Sequence, residues 1–346
     1  MRLSFSRFSS IGLDVGSRWV KAAQLSRSGD GWRLAACAAF PRIVPDAVPA
    51  ADELRQIASI LKRQGFVGRD VILPAPGDKL RSGILELPAK AAGVPMEQIA
   101  RAEFGRVQKL DVSAAELSWW ELPASSRTAK GTVVMTVAYP YADAEPHVNA
   151  FEEAGFRVRA IDTPTSAIAR GCLPLAKGKR SFGALDIGAS AGVLVLVRDG
   201  VVVYERRIPE AGIARLTTTL EERLGAGREA AEYVIGQVGL GSSTDVASAE
   251  RFAEARGLIA RHVEAAVSEV HRTLAYASHQ YADAAVETLL LCGGGACIPG
   301  LCEHVAARVE TEVRLAEFNS ELGGADDVRS RVGVFPACAV GLARFP

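Results

Sequence analysis

The sequence predicts an α/β protein built as two similar halves, and three observations carry that prediction. The segment Ile11-Gly12-Leu13-Asp14-Val15-Gly16-Ser17 recurs as Ala184-Leu185-Asp186-Ile187-Gly188-Ala189-Ser190, a repeat at the scale of a whole domain. Each copy is followed by an apolar stretch, a polar turn and a second apolar stretch: residues 19–25, 27–31 and 32–40 in the first half, 193–197, 198–200 and 201–207 in the second. That is the pattern of a β-hairpin, written twice. The length of 346 residues also exceeds the usual size of a single hydrophobic core.

Helical periodicity follows each hairpin, over 51–64 in the first half and over 215–224 and 247–278 in the second. Short apolar strands are expected at 71–73, 132–139 and 288–292. Each half therefore reads as a mixed sheet flanked by helices, with the first lobe over residues 1–180 and the second over 181–346. An excursion interrupts the first lobe at about 80–122: Leu85-Glu86-Leu87-Pro88, a helical stretch over 96–109, then 117–122 with Trp119 and Trp120. It reads as an inserted subdomain. Residues 225–244 are rich in Gly and Ser around a short helical core at 229–235, which predicts an exposed segment at 239–244.

Composition removes several classes of function. With 49% hydrophobic residues a core is available, and 40 basic residues balance 40 acidic ones. Neither a nucleic-acid backbone binder nor a polybasic membrane patch is expected, because both need net positive charge. Cys37, Cys172, Cys292, Cys297, Cys302 and Cys338 lie among apolar neighbours without C-x-x-C spacing, so buried reduced thiols are expected and a metal site is not. No stretch is long and apolar enough to span a bilayer, and residues 1–10 lack the apolar core of a leader, so a cytoplasmic protein is expected. Leu3, Phe5 and Phe8 could touch a membrane or a partner, or belong to a frayed terminus.

The repeated motif carries chemistry. A strand ending in Asp and followed by Gly places a carboxylate beside a turn whose amides can face a cleft; phosphate suits the amides and Mg²⁺ the carboxylate. One such turn is commonly only a turn. Two of them, one from each half, would clamp a polyphosphate, with Gly16, Ser17, Gly188, Ala189 and Ser190 on phosphate and Asp14 and Asp186 on Mg²⁺ largely through water. A third element, Leu289 to Gly300, runs from a buried strand into Gly293-Gly294-Gly295, where backbone without side chains can lie against a flat base, with Ile298 beyond. Lys21 can reach a phosphate or remain a solvated strand lysine. Glu269 and Arg272, one helical turn apart, can contact ribose and base or form an ordinary i,i+3 ion pair.

These residues, in this order, resemble the actin, sugar-kinase and heat-shock ATPase superfamily, with its ribonuclease H-like duplicated fold around a nucleotide cleft. Asp14-Val15-Gly16-Ser17 with Lys21 is similar to its first phosphate motif, Asp186 to Ser190 to its second, and Gly293 to Leu301 to its adenosine motif. Residues 164–171 and 336–342 look like its connecting helices. Within it the chain resembles the PilM branch of type IV pilus assembly proteins, through Leu73-Pro74-Ala75-Pro76-Gly77, Leu85-Glu86-Leu87-Pro88, Glu103 within residues 99–104, Ala154-Gly155-Phe156 and Ile161-Asp162. The related division protein FtsA would carry a C-terminal amphipathic membrane helix, whereas this sequence ends at Leu342-Ala343-Arg344-Phe345-Pro346.

The resemblance implies binding of ATP or ADP with Mg²⁺ and docking of the N-terminal cytoplasmic tail of an inner-membrane PilN-like protein beside the inserted subdomain. Self-association into a cytoplasmic ring, coupled to the inner membrane through partners, is the accompanying hypothesis. Trp119, Trp120 and Leu122 could line that groove or pack as core. Two departures bear on turnover. Ala191 and Gly192 stand where the family's second phosphate loop supplies threonines, and Thr163-Pro164 replaces a Glu-Pro, with Asp162 one residue earlier. Weak or absent ATP hydrolysis is expected. The rival readings are a small-molecule kinase of the same superfamily, for which no general-base Asp stands out, and a nucleotide-free interaction module of a type II secretion or pseudopilus system.

Overall fold

The computed structural model describes residues 8–29, 31–89, 93, 95–123, 131–225, 227–240, 252–280, 285–318 and 336–346. The first lobe opens with β1 (Ile11–Val15), β2 (Trp19–Ser28) and β3 (Gly31–Pro41), an antiparallel meander. Helix α1 (Ala51–Arg63) returns the chain to β4 (Asp70–Pro74), which lies parallel to β1. It buries Leu54, Ile57 and Leu61, spaced so that they share one face. After the insertion, α3 (Tyr141–Glu153) leads to β8 (Arg157–Asp162), giving a sheet ordered β3-β2-β1-β4-β8.

The second lobe repeats this order. Strands β9 (Ser181–Ile187), β10 (Gly192–Arg198), β11 (Val201–Ile208), β12 (Thr288–Cys292) and β13 (Glu312–Leu315) are arranged β11-β10-β9-β12-β13. Every residue of β9 is buried, as expected of a central strand covered on both faces. The β10–β11 hairpin turns on Asp199 and Gly200, with φ of 51° and 79°, the pair of left-handed residues that matches strand twist. Helices α5 (Ile213–Leu224), α6 (Arg228–Tyr233), α7 (Ala253–Gln280) and α8 (Leu301–Ala306) complete the lobe. Along α7, Ile259, Val263, Val267, Val270 and Leu274 form one buried stripe at helical spacing.

The insertion carries its own sheet: β5 (Arg81–Pro88), α2 (Met96–Gln108), β6 (Ala115–Glu121) and β7 (Gly131–Pro140), ordered β5-β7-β6. It therefore continues past Leu122, and the strand expected at 132–139 is its centre. Alternation along β7 explains the role: Val134 and Ala138 face α2 in the subdomain core, while Met135 and Val137 join Leu122 in the core of the second lobe. Trp120 donates its indole N–H to the Val202 carbonyl at 3.1 Å, and Trp119 packs on the subdomain core. Both tryptophans, half-buried, thus take part in packing.

The lobes are joined by two helices packed across each other. Helix α4 (Pro164–Cys172) begins at Thr163, whose hydroxyl caps the Ser166 amide at 3.1 Å, and has Pro at its first position. It follows the first sheet yet packs on β9, β10 and β11; α9 (Ala337–Ala343) follows the second sheet yet packs on β1 and β2. A shared core containing Ala23, Ile72, Ala184, Val195 and Leu290 unites the two sheets around them.

Several expectations at segment ends are resolved. Phe8 bridges to Ser26 and the Ser9 amide bonds Leu25, so the chain is anchored from Phe8 onward; Leu3 and Phe5 lie outside the described residues. In the 239–244 segment, Gly239 packs on Pro299 and the Leu240 amide donates to the Pro299 carbonyl at 2.7 Å, so those two residues are pinned; residues 241–244 lie outside the described residues. No helix among the described residues is long and apolar enough to cross a membrane.

Candidate functional site

Both Asp-Gly turns form the same local structure. The Gly16 amide donates to the Trp19 carbonyl at 2.9 Å, and the Gly188 amide donates to the Ala191 carbonyl at 3.0 Å. Each turn swings the chain from the first strand of its sheet into the antiparallel neighbour, which leaves Asp14 and Asp186 near the strand ends. Cross-strand register sets Lys21 opposite Asp14, and its ammonium reaches Asp14 Oδ2 at 3.4 Å.

The turns converge on one cleft of about 1160 Å³. It is lined by Asp14, Gly16, Ser17 and Lys21 from the first lobe and by Asp186, Gly188, Ala189, Ser190, Gly294, Gly295 and Ile298 from the second. Gly293 stands behind this wall with φ of 82°, and a Cβ there would lie 2.1 Å from Asp186 Oδ1. Its lack of a side chain therefore seats the carboxylate; it is not itself part of the lining.

Electrostatics link the two walls. Burial works against the Lys21 charge, but Asp14 and Asp186 outweigh it and hold the ammonium above the ordinary lysine range. Asp186 is pushed up from the usual carboxylate value by burial, a shift that Lys21 opposes and Asp14 reinforces. Asp186 Oδ1 is buried without a hydrogen-bond partner in the protein. Such an orphaned oxygen, beside a second carboxylate, suits a hydrated divalent cation, whose water would supply the missing donor.

The second turn is braced from below. The Gly188 and Ala189 carbonyls accept from the Ile213 and Ala214 amides at 3.2 and 2.9 Å, tying the loop to the start of α5. A Cβ at Gly192 would meet Ala211 at 2.8 Å, and Ala191 is buried. The short 3-10 turn Pro209–Ala211 thus occupies the space that a larger side chain at Gly192 would need, which explains the small residue there.

Glu269 and Arg272 lie elsewhere. Glu269 pairs with both Arg272 and Arg206 of β11, so the ion-pair alternative holds and neither residue lines the cleft. Asp162 is also engaged: one oxygen pairs with Arg170, and the other accepts the Thr163 amide at 2.8 Å. It is held in the frame of α4 and is not among the residues that line the cleft. Cys297, expected to be buried, is exposed on the cleft wall at the end of the 3-10 turn Gly294–Cys297. The other cysteines are buried or half-buried, and all six are free.

Sequence reasoning missed Arg18 and Glu232, which also line the cleft and approach one another at 3.8 Å from opposite lobes. It missed a further arm of the same cavity, between α3 and the loop after β4, lined by Pro76, Gly77, Lys79, Tyr139, Pro146, His147 and Phe151. Tyr139 hydroxyl lies 3.3 Å from His147 Nδ1, and burial pushes the phenol up to about 12 while pushing the imidazole down. Arg18 directly follows Ser17, the only signal available for it in the chain order.

Comparison with known proteins settles the family. The family profile described as type IV pilus assembly protein PilM matches residues 12–343. The chain belongs to the PilM family. The solved PilM-PilN type IV pilus biogenesis complex contains a chain similar to this one at 21% identity, with 98% of each chain covered and a TM-score of 0.78. The ethanolamine utilization protein EutJ from Carboxydothermus hydrogenoformans is similar at 14% identity over 99% of this chain and 90% of its own, with a TM-score of 0.54. MreB5 of Spiroplasma citri bound to AMPPNP is similar at 13% identity over 97% and 95%, with a TM-score of 0.53. The fold of this PilM family member is therefore actin-like and duplicated, with the cleft at the junction of the two halves.

Proposed function

We propose that this PilM family member is a nucleotide-binding cytoplasmic scaffold of type IV pilus assembly, positioned at the inner membrane through its partners. The observation that carries the reading is the convergence of Asp14 and Asp186, from separate lobes, on one cleft that holds an unsatisfied carboxylate oxygen. ATP or ADP occupies the cleft, its phosphates between the Gly16–Ser17 and Gly188–Ser190 turns and its base against Gly294, Gly295 and Ile298. Bound Mg²⁺ supplies charge neutralisation of the phosphates, held by Asp14 and Asp186 mainly through water. Structures of MreB5 with AMPPNP and with ADP support the cofactor assignment.

Turnover is weak in this reading, because the candidate carboxylate Asp162 is held by Arg170 and the Thr163 amide. The partner is a PilN-like membrane protein, as the PilM-PilN complex suggests, and its N-terminal tail enters the arm of the cavity beside the inserted subdomain. Pro76, Tyr139, His147 and Phe151 offer an apolar wall with two polar handles there. Because this arm is continuous with the nucleotide cleft, cleft closure alters both sites, and a ligand shifts such an equilibrium through its differential contacts. A synthetic tail peptide is titrated against nucleotide-free, Mg·ADP and Mg·ATP forms. Different affinities are expected; equal ones end the coupling. In parallel, Mg·ATP at a hundred times its Kd stabilises the fold by about 2.7 kcal/mol, and no thermal shift at millimolar ATP ends the nucleotide reading.

A further inference from the structure

One cation in the cleft is not accounted for by the glycine turns or by Lys21. Arg18 follows Ser17 on the first turn, and its side chain is 15% exposed. Its guanidinium lies 2.7 Å from Asp46 of the same lobe and 3.8 Å from Glu232 on α6 of the other. Arg18 Nε is buried without a hydrogen-bond partner. All three residues line the cleft.

We propose that Arg18 is a phosphate-binding residue, held ready by carboxylates, and that an entering polyphosphate takes the guanidinium from Glu232 and so releases a tie between the lobes. The proposal rests on the nucleotide reading above and adds to it a residue and a switch. Three physical points favour it. A planar guanidinium binds phosphate oxygens through paired donors, which a lysine does not do. The Glu232 contact is long and its carboxylate is half exposed, so it is a weak pair that phosphate can displace. The short Asp46 contact holds Nη2, which leaves Nη1, the atom that approaches Glu232, as the donor that phosphate takes over. Lys21 does not fill this role, because its ammonium is already paired with Asp14 at 3.4 Å and is held charged by Asp14 and Asp186.

Calorimetric titration of the full chain tests this, with Mg·ATP and adenosine as ligands and Arg18→Ala, Arg18→Lys, Glu232→Gln and Asp14→Asn as variants. Arg18→Ala weakens Mg·ATP by about tenfold, the loss of a charge-assisted contact, and leaves adenosine binding unchanged. Arg18→Lys recovers part of the loss, and Glu232→Gln tightens Mg·ATP by removing the competitor. Wild-type affinity for Mg·ATP in Arg18→Ala, or an equal loss for adenosine, overturns the proposal while leaving the nucleotide reading intact, provided Asp14→Asn still weakens Mg·ATP. Absence of Mg·ATP binding by the wild-type chain overturns both. Should Arg18→Ala fail to fold, Arg18→Lys and Glu232→Gln decide it: no change in either overturns the proposal.

Discussion

Gly293 makes room for Asp186: a methyl group on its Cα would sit 2.1 Å from Asp186 Oδ1, closer than any real contact. The glycine expected to face a base instead positions a carboxylate on the neighbouring strand, where Cys292 and Asp186 pair in parallel register. Gly293→Ala therefore displaces Asp186 and forces φ of 82° on a residue with a Cβ, a strain of about 1 kcal/mol or more. The expected outcome is a folded protein by circular dichroism that loses the Mg²⁺-dependent part of its ATP affinity. Unchanged Mg²⁺ dependence in calorimetry would count against Asp186 as a cation ligand.

Lys21→Met tests the charge balance of the cleft. Asp14 and Asp186 hold the Lys21 ammonium above its ordinary value despite burial. A raised lysine contributes stability that is fully present below the unfolded-state pKa and is lost as pH rises through the folded value. Removing Lys21 leaves two carboxylates facing each other, so the nucleotide-free variant is expected to lose about 3 kcal/mol at neutral pH. Chemical denaturation across pH 7 to 11 checks it: the difference from wild type narrows only at the alkaline end.

Glu53 contributes to the pH response at the acid end. Its carboxylate accepts from Arg42 at 3.1 and 2.6 Å and from the Ile43 amide at 3.2 Å, all beneath the segment that carries Asp46. Hydrogen bonds from Arg42 outweigh the burial cost and hold Glu53 below the usual carboxylate value. Such a group contributes stability above the unfolded-state pKa that is lost as pH falls through the folded one. Glu53→Gln is expected to cost about 3 kcal/mol at pH 7. Its unfolding free energy should approach that of wild type below pH 4; a constant gap at every pH would contradict the assignment.

The crossing of the connecting helices depends on two glycines. A Cβ at Gly341 would lie 1.7 Å from the Ala167 carbonyl oxygen, and one at Gly171 would lie 2.2 Å from that of Ala337. In both cases the obstacle is backbone, which does not move aside as a flexible side chain does. Gly341→Ala is expected to separate α4 from α9 and lower stability by about 3 kcal/mol. A Tm within a degree or two of wild type would show that the helices can slide apart at little cost.

Trp120→Phe probes the attachment of the inserted subdomain to the second lobe. The substitution removes the indole N–H bond to the Val202 carbonyl and leaves most of the apolar contact. A loss of about 1 kcal/mol is expected, with faster amide exchange over residues 115–121 and 131–140. Exchange unchanged in those strands would place the anchorage elsewhere.

Several parts of this protein were legible in the chain order because their physics is local. The hairpins, the Asp-Gly turns, the Pro-led start of α4 and the apolar stripe of α7 each depend on residues a few positions apart, and repetition of the first two revealed the duplicated design. Ion pairs and strand partners are different. Glu269 and Arg272 satisfy the same i,i+3 spacing whether they face a ligand or Arg206. Residues 132–139 read equally well as a strand of the main sheet or of the insertion, because pairing is decided by distant partners.

The sequence by itself determined that two carboxylate-tipped turns exist, since a strand, a glycine and a short loop specify each one from within. Only the tertiary structure decided that they face each other across one cleft, that Gly293 serves Asp186, and that Arg18 meets Glu232. Those relations arise from the packing of two sheets around α4 and α9, and close packing between segments more than a hundred residues apart leaves no periodic trace along the chain.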